Sequence, residues 1–291
     1  APALAVPLAA MAWTLPLQLL HFGSAPLYAL LANLLAAPLL APLTLSAMGL
    51  ALASLLLPAA ALPLLAWPVA QLAALLITLV SWISHWPAAR LLTGHPQPWV
   101  VALLVVGLLP SLLTGWRRWR PMGLLLTLLA VAVQGCVQLA DGVVAVQRSR
   151  QHWLLARHQG RGALVSTSAD ASSCRMARRL ADVHGHQQLD WVMLLDPVAT
   201  EAMACWQGLG HRVVAPHQGR AGLAVGQRLL SDGLSVELLS DRGHPMLLRV
   251  GDQRWRLLPR PQALWALQDQ GSSANVDGTW LGFQPNRTER R

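Results

Sequence analysis

The sequence predicts a polytopic α-helical membrane domain followed by a soluble α/β domain, and three observations lead to this fold class. The 291 residues are 54% hydrophobic and only 12% charged, about half the charged fraction of an ordinary soluble domain. All 22 basic residues are arginine, and the 13 acidic residues begin only at Asp141. Residues 1–140 hold four charges, all arginine, so this half is not a water-exposed fold. The contrast between the two halves excludes a simple soluble enzyme.

The apolar half, residues 1–140, is long enough for several membrane spans, because about 20 apolar residues cross a bilayer. Segment 98–114 holds Gly107 and Pro110, so it is predicted to be either a short span or a tilted or broken helix. The stretch from Ser24 to Ala37 stays outside the spans. Proline and polar residues divide this half into about five predicted spans, at 3–20, 38–57, 64–84, 98–114 and 122–140.

The orientation in the membrane follows from the arginines, which favour the cytoplasmic side. Three of them lie in the short loop 115–121, which is therefore predicted to be cytoplasmic. One further span then places residues 141–291 outside the cytoplasm. Four arginines between 148 and 161 crowd the far end of that last span and oppose this assignment. With no initiator Met at Ala1, we expect the chain to be the C-terminal part of a longer protein.

The second half is predicted to contain a linker at 141–151, a soluble α/β domain at 152–270 and a poorly ordered tail at 271–291. Helices are expected over Ser172–His184, with Ser172 or Ser173 as the cap, and over Val198–Leu209 and Pro261–Gln268. Strand-like apolar runs occupy Trp153–Ala156, Ala163–Ser166, Trp191–Leu195, Arg212–Ala215, Val236–Leu239, Met246–Val250 and Trp255–Leu258.

The three cysteines, Cys136, Cys174 and Cys205, do not form a disulfide framework, and Cys136 lies inside an apolar span. At most Cys174 and Cys205 pair, and nothing in the sequence requires that they do.

The informative stretch of the membrane half is His21-Phe22-Gly23-Ser24, followed about ten residues later by Asn33-Leu34-Leu35-Ala36-Ala37-Pro38-Leu39. An amide inside an apolar run is unfavourable unless it is hydrogen-bonded, so Asn33 is expected to face the bundle interior or a wet cavity. Simple interhelical bonding is the plainer explanation.

This pattern resembles the competence domain of the ComEC family, with Phe22, Gly23, Asn33 and Pro38 as the specific matches and His21 beside them. The resemblance implies a multi-pass protein of the bacterial inner membrane that forms part of a channel for single-stranded DNA in natural transformation. It also implies single-stranded DNA, the lipid membrane and other DNA-uptake proteins as partners. A homo-oligomer is a further expectation.

Members of that family commonly carry a metallo-β-lactamase-like domain after the last span, and the soluble half resembles a truncated, degenerate copy. The family's Asp-Thr-Gly turn corresponds to Ser166-Thr167-Ser168. Its metal motif His-Pro-Asp-x-Asp-His corresponds to Asp196-Pro197-Val198-Ala199-Thr200-Glu201. A catalytic zinc site needs about three fixed ligands and an open position, which two carboxylates do not provide. The resemblance therefore implies a pseudo-hydrolase with no catalytic residue, no metal and no cofactor.

Two other interpretations remain open from the sequence. In the first, the soluble half is an active metal-dependent nuclease that uses carboxylates and the pair His184-Gly185-His186. This pair lies before the Trp191–Leu195 strand, whereas the family's metal motif follows the strand. Its position therefore favours a polar loop over a metal site. In the second, the chain is a membrane scaffold with no DNA role. The nuclease set is Asp170, His184, His186, Asp196 and Glu201.

Basic side chains supply the remaining chemistry. Arg175, Arg178 and Arg179 share one face of the predicted helix 172–184 and are candidates for contact with a phosphate backbone. Asp182 on the same helix also suits an ion pair with Arg178 or Arg179. A solvated face explains these arginines equally well. The sequence contains no phosphate-binding Gly-x-x-x-x-Gly-Lys loop.

Overall fold

A computed structural model describes residues 2–56, 58, 62–87, 89–216, 222–269 and 275–284. The chain divides into two compact units, residues 1–130 and residues 131–291. We call them the membrane unit and the soluble unit and describe each by itself.

The membrane unit is built from apolar helices, as the sequence predicts. Three helical stretches, Ala29–Leu56, Leu62–Ser84 and Gly115–Leu139, are long and apolar enough to cross a membrane by length and composition. Leu8–Phe22 and Pro98–Leu112 are shorter apolar helices. The helices are α1 (Pro2–Phe22), α2 (Ala29–Leu56), α3 (Leu62–Ser84), α4 (Pro98–Leu112) and α5 (Arg120–Leu139), with a 3-10 helix at Thr114–Trp119 before α5.

Helix α2 corrects the predicted span 38–57. It begins at Ala29, inside the stretch that the sequence left outside the spans, and runs through Pro38 and Pro42. Proline is a poor marker of helix ends here, because helices in an apolar environment tolerate it where neighbouring groups satisfy the freed carbonyl. Helix α4 also continues through Pro110, so it is a short, unbroken helix.

A two-stranded ribbon joins two loops of the membrane unit. Strand β1 (Ser24–Pro26) follows α1, and strand β2 (Arg90–Leu92) follows α3. They pair antiparallel, with Ser24 opposite Leu92 and Pro26 opposite Arg90. The sequence analysis did not anticipate this ribbon.

After the end of α5, the soluble unit has two sheets and three helices in the residues that the structure describes. The first sheet has the order β3-β4-β5-β6-β7, and the second has the order β12-β11-β10-β9-β8. In the first sheet, β5 and β6 run parallel, as do β6 and β7, while β3 and β4 run antiparallel to their neighbours. The strands are β3 (Gly142–Arg148), β4 (Gln151–His158), β5 (Arg161–Ser166), β6 (Leu189–Leu194), β7 (Gly210–Val214), β8 (Arg228–Ser231), β9 (Leu234–Leu238), β10 (Met246–Val250), β11 (Gln253–Leu258) and β12 (Gly278–Leu281).

Two predicted boundaries of the soluble unit are wrong. The expected linker 141–151 contains β3, which pairs along its whole length with β4 through a turn at Ser149. The expected tail 271–291 contains β12, which is anchored by the buried Trp280. Residues 270–274 and 285–291 lie outside the described part of the chain.

Two apolar clusters hold the soluble unit together. One joins side chains of the two sheets, such as Leu154 and Trp191 with Val236 and Leu248. The other joins the first sheet to α6 (Ala171–Val183) and α7 (Thr200–Leu209) through residues such as Trp206. Helix α8 (Gln262–Asp269) follows the second sheet. The layer order is therefore helices, sheet, sheet.

Helices α6 and α7 are cross-linked by a disulfide between Cys174 and Cys205, whose Cα atoms are 6.3 Å apart. The sequence permitted this pair without requiring it. The helix cap, by contrast, was mispredicted, because Asp170 caps α6 by accepting a hydrogen bond from the backbone N–H of Ser173 at 3.1 Å.

Candidate functional sites in the two units

The segment at His21, Phe22 and Gly23 ends α1 in a tightly held turn. Gly23 has φ +60°, and a Cβ at this position would lie 2.9 Å from the His95 ring. The Gly23 carbonyl accepts a hydrogen bond from the Thr93 N–H at 3.0 Å, and a His95 ring nitrogen lies 3.0 Å from the Leu20 carbonyl oxygen. Glycine is therefore required here both by the left-handed backbone and by the close approach of residues 93–95.

Beside this turn lies a cavity of about 530 Å³, which we call the loop cavity. Phe22, which is 65% exposed, lines it together with Arg90. The Arg90 Nε donates a hydrogen bond to the Ser24 Oγ at 3.0 Å, across the ribbon. The cavity is lined by Gln18, Phe22, Ser24, Pro26, Tyr28, Ala29, Ala32, Val80, Ile83, Ser84, Ala89 and Arg90.

Three aromatic rings lie next to the loop cavity. Trp86 makes edge contacts with Tyr28, at a centroid distance of 5.3 Å, and with Trp82, at 5.0 Å. The Tyr28 hydroxyl donates a hydrogen bond to the Pro87 carbonyl at 3.0 Å. Such amphipathic rings are typical of the headgroup level of a membrane.

Asn33 and Pro38 are not brought to this cavity. Both lie on exposed positions of α2, whereas the neighbouring Ala32 lines the cavity. Asn33 is thus not packed among the described helices, and its position beside a wet cavity stays a prediction. Helix α2 is apolar all round, so its sequence carries no periodicity that would indicate which face is buried.

Sequence reasoning missed Arg90 and His95, whose hydrogen bonds to Ser24 and Leu20 hold the ribbon and the turn together. The sequence did contain a signal for Arg90, because it is the only charged residue among residues 1–116. An isolated charge in such a stretch is by itself a reason to expect a functional position.

In the soluble unit, Ser166 and Asp196, which the sequence resemblance relates to a metal-binding domain, lie at the carboxyl ends of β5 and β6. These strands are parallel, with Ser166 opposite Leu194, so Ser166 and Asp196 follow the same edge of the sheet. Ser166 is buried, and its Oγ donates to the Ser168 carbonyl at 2.8 Å and lies 3.2 Å from the Ser173 Oγ. This hydroxyl belongs to a satisfied internal network.

Asp196 faces a cation from the protein itself. The Arg260 guanidinium lies 4.0 Å from its carboxylate. Burial raises the pKa of the Asp196 carboxyl, and Arg260 partly offsets the rise. Glu201 lies exposed in the first turn of α7. Among the described residues, no group of three or more His, Cys, Asp or Glu side chains is placed to hold a metal ion.

The remaining residues of the nuclease set have other structural roles or surroundings. Asp170 caps α6. Burial and the charge of Arg157 lower the pKa of His184 to about 4, and they also lower the pKa of the buried His186. Both histidines are therefore neutral near pH 7, in the loop between α6 and β6.

The three candidate arginines of α6 are all exposed, which agrees with their predicted helix face. A Cβ at Gly208 of α7 would lie 3.0 Å from an Arg178 nitrogen, so this side chain extends over α7. Within the described residues, Asp182 forms no ion pair with Arg178 or Arg179, contrary to the alternative considered from the sequence.

Comparison with known proteins gives a family match that lies within the membrane unit. Residues 2–119 match a family model described as competence protein. Neither the curated proteins nor the solved structures contain a match to the chain. The matched region spans α1 to α4, including the Gly23 turn and the loop cavity, and it ends before the soluble unit. Residues 2–119 are thus similar to the competence protein family.

Proposed function

We propose that this chain is part of a channel in the bacterial inner membrane that takes up single-stranded DNA during natural transformation. The match of residues 2–119 to the competence protein family carries the proposal. Two features of the membrane unit support it. The unit contains no carboxylate, whose fixed negative charge would repel phosphate. Its turn at Gly23 is held by close backbone contacts, as expected of a site whose shape matters.

The channel proposal assigns a role to Asn33. An amide on the exposed side of an apolar helix is unfavourable against lipid, where no partner satisfies it. We infer that this side of α2 faces the DNA path, with water or another protein element beside it. His21 and Phe22 are exposed at the end of α1, and we propose that they also face the DNA path.

The test is the transformation frequency of cells that carry Asn33→Leu in the full-length protein. We expect transformation to fall sharply while the amount of inserted protein stays normal. Ser54→Leu is the matched control, because it also replaces an exposed polar residue of α2 by leucine, and it should transform normally. Normal transformation by Asn33→Leu at a normal protein level would remove Asn33 from the path. Loss of the protein itself would favour a purely structural hydrogen bond.

For the soluble unit, we propose a pseudo-hydrolase that does not cleave DNA. The support is chemical: the motif positions hold Ser166 in a buried network, Asp196 beside Arg260 and an exposed Glu201. The full chain in detergent is expected to bind no stoichiometric zinc or manganese and to cleave no DNA. Metal-dependent cleavage that is lost in Asp196→Asn or Glu201→Gln would show an active nuclease instead.

We also propose that the soluble unit lies outside the cytoplasm. The Cys174–Cys205 disulfide supports this side, because disulfides persist in oxidising compartments and are rare in the cytosol. The arginines of loop 115–121 support it independently. A topology reporter fused after Gly142 is expected to give an extracytoplasmic signal. A cytoplasmic signal there, with an external signal from loop 115–121, would reverse the orientation.

The exposed arginines of α6 are proposed as a contact for single-stranded DNA beside the channel. The channel itself is proposed to work with other DNA-uptake proteins or with a second copy of the chain. Replacing Arg175, Arg178 and Arg179 by glutamine should weaken oligonucleotide binding and reduce its salt dependence. The double replacement of Arg148 and Arg150 is the control. Equal loss in both variants would indicate nonspecific attraction only, and no DNA binding by the full chain would favour a membrane scaffold.

A further inference from the structure

Three of the four charged residues of the membrane unit lie within residues 115–121, which we call the arginine loop. Arg117 and Arg118 are exposed, and Arg120 is half-buried. The loop contains no carboxylate, and these three side chains form no ion pair with any residue that the structure describes. The membrane unit therefore concentrates its positive charge in one short segment that does not neutralise it.

The neighbouring helices fix the depth of the arginine loop. Helix α4 ends at Leu112, and the apolar stretch Gly115–Leu139 is long enough to cross a membrane. A loop between two such helices lies where the hydrocarbon core gives way to the lipid headgroups. Trp116 and Trp119 are 50% and 47% exposed, and tryptophan is enriched at this level of a membrane. Lipid phosphates occupy the same depth.

Two of the arginines lie on one side of the loop. The Arg120 backbone N–H donates a hydrogen bond to the Arg117 carbonyl, which is the spacing of a 3-10 turn. Side chains three residues apart in such a turn lie one above the other. The Arg120 Nε is buried and donates to no described residue, and a buried donor without an acceptor is unfavourable. An anion bound between the two guanidinium groups would supply acceptors to both.

The helix hairpin that carries the arginine loop is closely packed. A Cβ at Gly123 of α5 would lie 2.6 Å from the Gly107 carbonyl oxygen of α4 and 3.2 Å from the Pro110 Cβ. Helices in such close contact hold the ends of the loop at a fixed separation. Donors that are held in place before a ligand binds lose less conformational entropy on binding.

The chemistry of the loop selects the ligand. Arginine suits a phosphate, because its planar donors can contact two phosphate oxygens together. The ammonium group of a zwitterionic headgroup would find no carboxylate in the loop, so an anionic headgroup fits better. Single-stranded DNA fits less well, because its bases need the rings as stacking platforms, whereas tryptophans at headgroup level lie against lipid.

From these features we propose that the arginine loop binds one anionic phospholipid. Its phosphate lies between Arg117 and Arg120, and its glycerol and first acyl carbons lie against Trp116 and Trp119. Arg118 adds attraction towards the anionic membrane surface. This site is independent of whether the chain conducts DNA.

The test measures lipids retained by the full chain in native mass spectrometry after exchange into mixed vesicles of phosphatidylcholine and phosphatidylglycerol. The wild type is expected to retain one phosphatidylglycerol in preference to phosphatidylcholine. Replacing both Arg117 and Arg120 by glutamine should lower that retention about 25-fold, since each basic residue near a membrane surface contributes about fivefold. Arg117→Gln alone, at an exposed position, should lower it about fivefold even where the double variant does not fold.

The matched control removes two neighbouring arginines from the soluble unit. Arg249 and Arg254 are exposed and lie opposite each other on β10 and β11, and replacing both by glutamine should leave lipid retention unchanged.

Two further measurements separate the parts of the site. Replacing Arg117 and Arg120 by lysine keeps the charge but removes the planar donors, so this variant should also lose most of the preference for phosphatidylglycerol. Glycerol phosphate has the phosphate without the acyl chains, so it should not displace the lipid at the same concentration.

Four outcomes would overturn the proposal. The first is equal retention of the two lipids by the wild type. The second is full retention by the lysine variant or equal loss in the Arg249 and Arg254 control, either of which would show general attraction of charge. The third is displacement by glycerol phosphate, which would indicate a site for free phosphate. The fourth is displacement by a short single-stranded oligonucleotide whose binding depends on Arg117, which would make the loop a nucleic-acid site.

Discussion

The two units of this chain place tryptophan in opposite environments. In the soluble unit, Trp153, Trp191 and Trp206 are fully buried between layers, whereas Trp67 and Trp82 of the membrane unit are largely exposed. Among the described residues of the membrane unit, the buried positions include small residues such as Ala36 and Ala130 beside Ile83, Val100 and Leu104, but no tryptophan. Large apolar side chains drive folding only where water is the alternative environment. In lipid they gain little from burial, so close backbone packing and satisfied polar groups hold the helices together.

The strongest test of this contrast replaces a buried tryptophan. Trp206 is 0% exposed, and its Nε1 donates to the Ala169 carbonyl at 2.9 Å. Trp206→Ala should therefore lower the free energy of unfolding of the soluble unit by about 3–5 kcal/mol. Denaturant unfolding of the full chain in detergent measures this change.

Trp67→Ala, at a residue that is 66% exposed in α3, is the comparison in the membrane unit. It should leave folding nearly unchanged. Equal destabilisation by both replacements would mean that the two units are stabilised by the same force, contrary to the comparison.

The second prediction concerns the disulfide, which only the soluble unit contains among the described residues. Cys174 and Cys205 are separated by 31 residues, and closing a loop of this size stabilises a fold by about 3–4 kcal/mol. A double Cys→Ser variant should lose about this much stability and no longer respond to reductant. Cys136→Ser removes the exposed free cysteine of α5 and should behave as wild type. An unchanged midpoint under reductant in the wild type would argue against the cross-link.

The third prediction tests close packing in the membrane unit. A Cβ at Gly107 of α4 would lie 2.8 Å from the Thr127 backbone nitrogen and 2.9 Å from the Gly123 carbonyl oxygen. Because backbone cannot yield as a flexible side chain does, Gly107→Leu should destabilise the unit by about 1–3 kcal/mol or more.

The control is Gly49→Leu in α2, where a Cβ meets nothing within 4 Å. Thermal unfolding in detergent compares the two variants. A Gly107→Leu protein as stable as the Gly49→Leu protein would show that this close crossing is dispensable.

The smallest effect expected is a pH dependence of the soluble unit. Burial, assisted by Arg157, lowers the pKa of His184 to about 4 and also lowers that of His186, whereas an unfolded histidine titrates near 6.5. The unfolded chain therefore binds more protons in between, and stability falls as the pH falls from about 6.5 towards about 4.

Replacing both His184 and His186 by glutamine should flatten this part of the pH profile, whereas the exposed His211→Gln should not. Urea midpoints measured at several pH values provide the comparison. A profile that keeps its slope in the double variant would assign the acid sensitivity to other groups.

The strands show why some of the soluble fold was predictable. The seven apolar runs recognised in the sequence correspond to β4, β5, β6, β7, β9, β10 and β11. The three missed strands, β3, β8 and β12, all lie at sheet edges. An edge strand tolerates polar and charged residues along its exposed side, so the polar residues around β12 made it resemble a tail.

The candidate sites were predictable in part for a different reason. Phe22 and Gly23 were recognised through their motif, and the structure places Phe22 at the loop cavity and Gly23 in the turn beside it. Arg90 and His95 were not, because their partners Ser24 and Leu20 lie 66 and 75 residues away in the chain. No local pattern of hydropathy encodes such a contact.

By itself, the sequence determined the division into an apolar and a mixed half, the approximate positions of the helices and most interior strands, and the resemblance of the apolar half to a competence family. These properties follow from composition, from the lengths of apolar runs and from local periodicity. Only the tertiary structure decided that residues 93–95 close over Gly23, that Asn33 lies on an exposed side of α2, and that Cys174 meets Cys205. The physical reason is that an apolar helix has no preferred face in its sequence, and contacts between distant segments depend on how whole elements pack.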